Sequence, residues 1–221
     1  MRKSQLFDLP SLPANSRVVV QVSRWDRLKD PLGVMQGFAE HVAPRSDAHL
    51  ILAGPSVEAV ADDPEGQEVL NETRAAWAKL PADSSEKIHL VCLPMEDGAE
   101  NAAIVNALQR RAEIVVQKSI AEGFGLTVAE GMWKGRPVVA SRIGGIQDQI
   151  EDGTTGMLID DPHDLAAYGA ALNRLLQDPE RGTRIGNDAQ ERVRDEFLGP
   201  RHLMQYIHLI RKLVAEGEPP P

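Results

Sequence analysis

"SIAEGFGLTVAEGMWKGRPVVAS", residues 119–141, holds a loop, a helix and a strand in one short run. Its end, "RPVVAS" (136–141), is apolar and β-branched and reads as a buried strand. A helix starts near Gly125 ahead of it, and "EIVVQ" (113–117) supplies the strand before that loop. Strand, loop, helix and strand form the repeating unit of a parallel sheet. Two glutamates, Glu122 and Glu130, stand eight residues apart across the loop and the opening of the helix. A role for two carboxylates at that spacing has to be found.

Outward from this stretch the same alternation continues. "RVVVQV" (17–22), "AHLILAG" (48–54), "KIHLVCL" (87–93) and "GMLID" (156–160) read as strands. "DPLGVMQGFAEHV" (30–42) reads as a helix, with Asp30 as its cap and Pro31 in its first turn. Residues 55–86 are polar and suggest a crossover helix with long connections, and "ENAAIVNALQRR" (100–111) is a further helix. Three helical stretches, near 163–177, 180–196 and 200–215, close the chain. The strands are near-continuous apolar runs, as in a sheet covered on both faces. The expected fold is α/β: a doubly wound, Rossmann-like parallel sheet of about six strands with right-handed crossovers. Residues 1–16 read as an irregular lead-in, 17–215 as one domain and 216–221, "EGEPPP", as a disordered tail.

Composition narrows the function. The 221 residues are 42% hydrophobic and carry a net charge of −9. That charge argues against a general nucleic-acid binder, which needs clustered Lys and Arg. A small anion needs only a few cations in one cleft. The single cysteine, Cys92, lies in a strand and reads as a buried inert thiol, with no disulfide and no cysteine metal site. No apolar run reaches the roughly 18 residues of a membrane span, and the N-terminus lacks the apolar core of a signal peptide. The expected location is cytoplasmic.

In open α/β sheets ligands bind at the carboxyl ends of the strands. That rule selects the loops "SRWDRLKD", "PMEDG", "KSIAEGFG" and "SRIGG". Arg24 and Lys29 put two cations on the first. Gly125, Leu126 and Thr127 put backbone N–H groups at a helix N-terminus, a natural anion site. Glu130 lies one turn after Leu126 on the same helix face. A diphosphate fits between the cations and the amides, and a glutamate on either side can accept hydrogen bonds from sugar hydroxyls. A nucleotide sugar has that layout. Taken singly, each residue has a plainer reading. Arg24 and Lys29 read as solvated loop charges, Glu130 as an exposed helix residue, Glu122 as a complement to the helix dipole and Gly144-Gly145 as a turn. Their conjunction on strand ends favours the site.

Together, "SRWDRLKD", "AEGFGLTVAEGMWKGRPVVAS" and "GGIQDQIEDGTTGMLI" resemble the C-terminal domain of retaining GT-B glycosyltransferases of the family-4 type, from about residue 17 to 215. Glu122 to Glu130 matches that family's E-x₇-E signature. "VSRWDRLKDP", "DDPEG" and "EGFGLTVAEGMWKGRPV" look most like the trehalose synthase branch, whose members join a nucleotide-activated glucose to free glucose. The resemblance implies a catalytic set of Arg24, Lys29 and Glu122. Arg24 and Lys29 would hold the donor diphosphate, Glu130 the ribose and Glu122 the donor sugar. The amides of Phe124, Gly125, Leu126 and Thr127 would approach the sugar and phosphates, and Met95 would lie at the base. Lys118 stands near this cleft with at most a weak role.

The same resemblance implies transfer without a metal or other cofactor, with cations and a helix N-terminus stabilising the leaving diphosphate. The sequence has no D-x-D pair, and Asp62-Asp63 and Asp160-Asp161 read as loop and solvent charges. The partners implied are a nucleotide sugar (UDP-, ADP- or GDP-glucose) and an N-terminal acceptor domain, which is expected before residue 17, where only the short lead-in stands. The six histidines all have structural readings: His49 and His89 at strand starts, His41 at a helix end, His163 as a helix cap, His202 and His208 on the last helix. The apolar face of that helix (Leu203, Tyr206, Ile207, Ile210, Leu213, Val214) must pack on the domain, stay exposed or bind a second copy as a homodimer. Sucrose-phosphate or mannosyl transfer within the same superfamily, and a non-catalytic nucleotide-binding or assembly module, are the alternatives.

Overall fold

A computed structural model describes residues 12–13, 15–57 and 64–217. Six strands form one sheet: β1 (Val18–Val22), β2 (His49–Pro55), β3 (Ile88–Leu93), β4 (Ile114–Gln117), β5 (Val138–Ser141) and β6 (Met157–Ile159). They are all parallel, in the order β3-β2-β1-β4-β5-β6. Val18 of β1 lies opposite His49 of β2, and Val19 opposite Ile114 of β4. The doubly wound sheet expected from the sequence is therefore present, with its six strands where the apolar runs placed them.

Successive side chains of a strand point to opposite faces, and the core divides accordingly. Val19, Leu50, Leu52, Ile114 and Val116 pack with helices α1 (Pro31–His41) and α7 (Leu165–Gln177) on one face. Val18, Val20, Ile51, Val115 and Val138 pack with α5 (Leu126–Trp133) and α8 (Pro179–Glu196) on the other. Asp30 caps α1 by accepting from the Gly33 N–H at 3.0 Å, and Pro31 fills the first position.

Some expectations change. Residues 55–86 hold two helices, α2 (Pro64–Trp77) and the short α3 (Ala82–Ser85), and not one. Asp62-Asp63 and residues 1–11 lie outside the described residues. A 3-10 turn (Arg27–Lys29), α4 (Gly98–Arg111) and the four-residue α6 (Ile146–Gln149) complete the connections. His163 does not cap α7; Asp164 does, accepting from the Ala167 N–H at 2.8 Å, because a carboxylate reaches the first-turn amide. His89 is the second residue of β3, not its first. The last helix, α9 (Gly199–Gly217), runs two residues past the boundary drawn for the tail, and residues 218–221 of that tail lie outside the description. Its apolar side chains are exposed, apart from Ile207, which is partly buried. Among the described residues no helix is long and apolar enough to cross a membrane.

Candidate functional site

Strand order reverses between β1 and β4. From β1 the chain turns to the face that carries α1; from β4 it turns to the face that carries α5. The loops diverge and leave a crevice at the carboxyl edge. A cleft of roughly 330 Å³ lies there, lined by Ser23, Arg24, Lys29, Gln117, Glu122, Phe124, Gly125, Leu126 and Thr127, with Val22 at its base.

The first loop is held from below. Trp25 is buried and its indole N–H donates to the Pro55 carbonyl at 2.9 Å. Asp26 folds the 3-10 turn by accepting from the Leu28 N–H at 2.8 Å, and its other oxygen accepts from Arg24 at 2.7 Å. Gln21 of β1 donates to the Lys29 carbonyl at 2.9 Å, and the Ile120 N–H donates to the Leu28 carbonyl at 2.7 Å. The loops after β1 and β4 are thus stitched together by backbone as well as by charge.

Charge completes the junction. Lys29 Nζ lies 2.5 Å from Glu122 Oε2, with both side chains largely buried. Glu122 also accepts from the Ser119 hydroxyl at 3.4 Å and from the Gly123 N–H at 3.2 Å. A polar chain continues behind it: Gln117 donates to Ser119 Oγ at 2.8 Å and accepts from the Thr127 hydroxyl at 2.9 Å. Lys118 is fully buried, donates to Asp30 Oδ2, and donates to the Pro162 carbonyl at 2.6 Å. It therefore ties the loops after β1, β4 and β6. Asp30 has φ of 48°, a left-handed conformation uncommon for a residue with a Cβ, and its carboxylate serves both the α1 cap and Lys118.

The turn into α5 depends on glycine. Gly125 has φ of 85°, and no side chain caps the helix it begins. The second close approach comes from the loop after β5. A Cβ on Gly144 would lie 1.9 Å from the Glu122 carbonyl oxygen, and the Gly145 N–H donates to the Gly123 carbonyl at 2.7 Å. The pair read as a simple turn is in fact the contact that sets the height of the Glu122 loop.

Of the nine residues singled out from the sequence, Arg24, Lys29, Glu122, Phe124, Gly125, Leu126 and Thr127 line this cleft. Glu130 and Met95 do not. Glu130 stands on the second turn of α5, where Gln109 donates to it at 3.3 Å. Met95 is exposed beyond β3, at the far edge of the sheet, where Asn101 reaches its sulfur at 3.4 Å. Gln117, Ser119 and Gln21 escaped the sequence reading. Gln21 and Gln117 are polar residues near the ends of apolar strands, and that interruption is the signal that marks them, whereas Ser119 follows its strand and carries no such signal.

Cations, open helix amides and a carboxylate acceptor in one crevice form a surface suited to a hydroxylated anion. Residues 4–192 match the family described as Glycosyl transferases group 1. The chain belongs to that family. Trehalose synthase of Rubrobacter xylanophilus is 41% identical over 199 residues, which is 89% of this chain and 44% of the relative. Sucrose-phosphate synthase from Thermosynechococcus elongatus superposes with a TM-score of 0.70 at 28% identity, covering 93% of this chain and 47% of that one. A protein from Anabaena, HepE, solved with UDP and glucose, superposes with a TM-score of 0.73 at 22% identity, covering 90% and 49%. The last likeness shows the shared fold alone. The group 1 chain described here spans less than half the length of these relatives.

Proposed function

We propose that residues 17–215 are the nucleotide-sugar-binding domain of a retaining glycosyltransferase, which moves glucose from a nucleotide diphosphate to a sugar acceptor, with free glucose as acceptor and trehalose as product. The observation that carries this reading is the cleft in which Arg24, Lys29 and Glu122 meet the open N-terminus of α5. Arg24, Lys29 and the amides of Gly125 to Thr127 hold the diphosphate. Glu122 accepts from hydroxyls of the donor sugar. Glu130 serves the ribose and Met95 the base, at the outer end of the bound nucleotide. The names of the relatives support glucose and trehalose, and the UDP in the HepE structure is in keeping with a nucleotide diphosphate as the group bound.

The Lys29–Glu122 pair suggests how the site loads. The two groups neutralise each other at 2.5 Å. An entering diphosphate offers Lys29 a doubly charged partner, and the freed Glu122 turns to the sugar hydroxyls. When the bond between the anomeric carbon and the diphosphate oxygen breaks, that oxygen keeps the electron pair. The two cations and the helix end then stabilise the departing charge without a metal. The acceptor comes from a second half that faces this cleft, so the chain by itself binds donor and transfers little or nothing. Sucrose-phosphate transfer is the second reading, favoured by the 28% identity to the synthase of that name.

Isothermal titration with UDP, ADP and GDP, and then with their glucose forms, tests the site. One nucleotide should bind at millimolar affinity or better. Arg24→Ala and Glu130→Ala should each weaken it by roughly tenfold or more, the loss of a hydrogen bond to a charged group. A folded chain that binds none of them would sink the proposal.

A further inference from the structure

A second cleft opens at the opposite edge of the sheet, where β4 and β5 begin. Its volume is roughly 410 Å³, larger than the donor cleft, and Lys134, Arg136, Glu113, Thr183, Asn187 and Gln190 stand on its walls. Arg136 is the unexplained group. Its Nε is buried, and among the described residues no acceptor faces it. Among the described residues no carboxylate pairs with its guanidinium. The residue as a whole is only half-buried on the cleft wall, so the remainder of its guanidinium is open to an anion.

The surroundings select an anion. Lys134 makes only a long contact, 3.3 Å, to the Glu130 carbonyl, and burial pulls its pKa down. The one carboxylate on the walls, Glu113, is already neutralised by Arg17 at 2.9 Å. Asp178 caps α8 through the Arg181 N–H, so the charge of the site rests on its side chains and not on the helix end. The walls are fixed: a Cβ on Gly186 would lie 2.2 Å from the Gly135 carbonyl oxygen, so α8 sits directly on the turn that carries Arg136. Gln190 donates to the Trp133 carbonyl at 2.7 Å, which leaves its amide oxygen as an acceptor for a hydroxyl.

We propose that this cleft binds a small phosphomonoester, with Arg136 and Lys134 on the phosphate and Asn187 and Gln190 on the hydroxyls of the group that carries it. The planar guanidinium matches two phosphate oxygens at once, and the volume suits a molecule of the size of a hexose phosphate. The site is separate from the donor cleft and does not depend on the function assigned there.

The test is amide chemical-shift titration of the whole chain, at constant ionic strength, with inorganic phosphate, glucose 6-phosphate and glucose. Both phosphates should shift the amides of Gly135, Arg136 and Thr183, glucose 6-phosphate at lower concentration, and glucose should not. Saturating UDP should leave the response intact. Arg136→Gln should weaken the response by about tenfold or more, with its melting temperature little changed, because the guanidinium has no partner to lose. Lys134→Gln should weaken it less and serves if the first variant does not fold. Shifts confined to Gly125–Thr127, displacement by UDP, or unchanged affinity in these variants would overturn the proposal.

Discussion

A lysine is enclosed at the carboxyl edge of the sheet, while leucines and isoleucines of α9 stand in water. Lys118 has 0% exposure, and Leu203, Ile210 and Leu213 have 61%, 57% and 59%. Both reverse the usual distribution of polar and apolar groups. The reversals differ in what surrounds them. Lys118 meets Asp30 and the Pro162 carbonyl, so its charge is matched inside the fold. The α9 face meets no match within the described domain. One inversion therefore holds the loops of the carboxyl edge together, and the other is a surface with no apolar partner among the described residues.

The sharpest way to break that contrast is Lys118→Met. It leaves Asp30 buried against an apolar side chain and releases three loops at once. The expected cost is about 3–5 kcal/mol, that of breaking a buried pair by removing one partner, measured by urea denaturation. Asp30→Asn in the same chain should recover at least about 1 kcal/mol, because asparagine still caps α1 and tolerates the left-handed backbone. If Lys118→Met unfolds at the wild-type midpoint, the buried pair does not hold the edge together.

His89 gives an intermediate case: a buried titratable group whose only close polar partner among the described residues is another histidine. Its Nε2 lies 2.9 Å from His49 Nδ1, and its own Nδ1 has no partner. Burial, and then the His49 charge, push its pKa down to about 4. The unfolded chain binds that proton near pH 6.5, so the stabilisation is complete above pH 6.5 and is lost as the pH falls through 4. The loss should be on the order of 1–2 kcal/mol, discounted for relaxation at the edge of the sheet. Urea midpoints at pH 7 and pH 4.5 should converge less in wild type than in His89→Leu, whose acid sensitivity is reduced. An equal acid loss in both chains would show that His89 contributes nothing to it.

The fold was legible because each strand is a block of apolar residues and each block ends at a turn. Val18 to Val20 announce β1, and Asp30-Pro31 announce α1. The four-residue α6 and the break between α2 and α3 were not legible, because helices that short have no periodicity to read. The cleft was partly legible. The carboxyl-edge rule gathers Arg24, Lys29 and the 122–127 loop whatever the order of the strands. That order decides the rest. Met95 follows β3, and only the observed arrangement puts β3 two strands from the switch point. Ion pairs such as Lys29–Glu122, 93 residues apart, and Lys118–Asp30, 88 apart, leave no local trace. For that reason nothing in the sequence around Lys118 marks its central place in the fold.

The smallest expected effect comes from α9. Leu203, Tyr206, Ile207, Ile210, Leu213 and Val214 recur at helical spacing on one face, of which Ile207 alone is partly buried. Leu203→Ser with Ile210→Ser should change unfolding free energy by less than about 0.5 kcal/mol, as for exposed positions. A loss above about 2 kcal/mol would mean that the face is packed in solution. Sedimentation then separates the proposed occupants. A wild-type dimer that becomes a monomer on substitution would assign the face to a second copy of this chain. Monomers before and after would refute that homodimer.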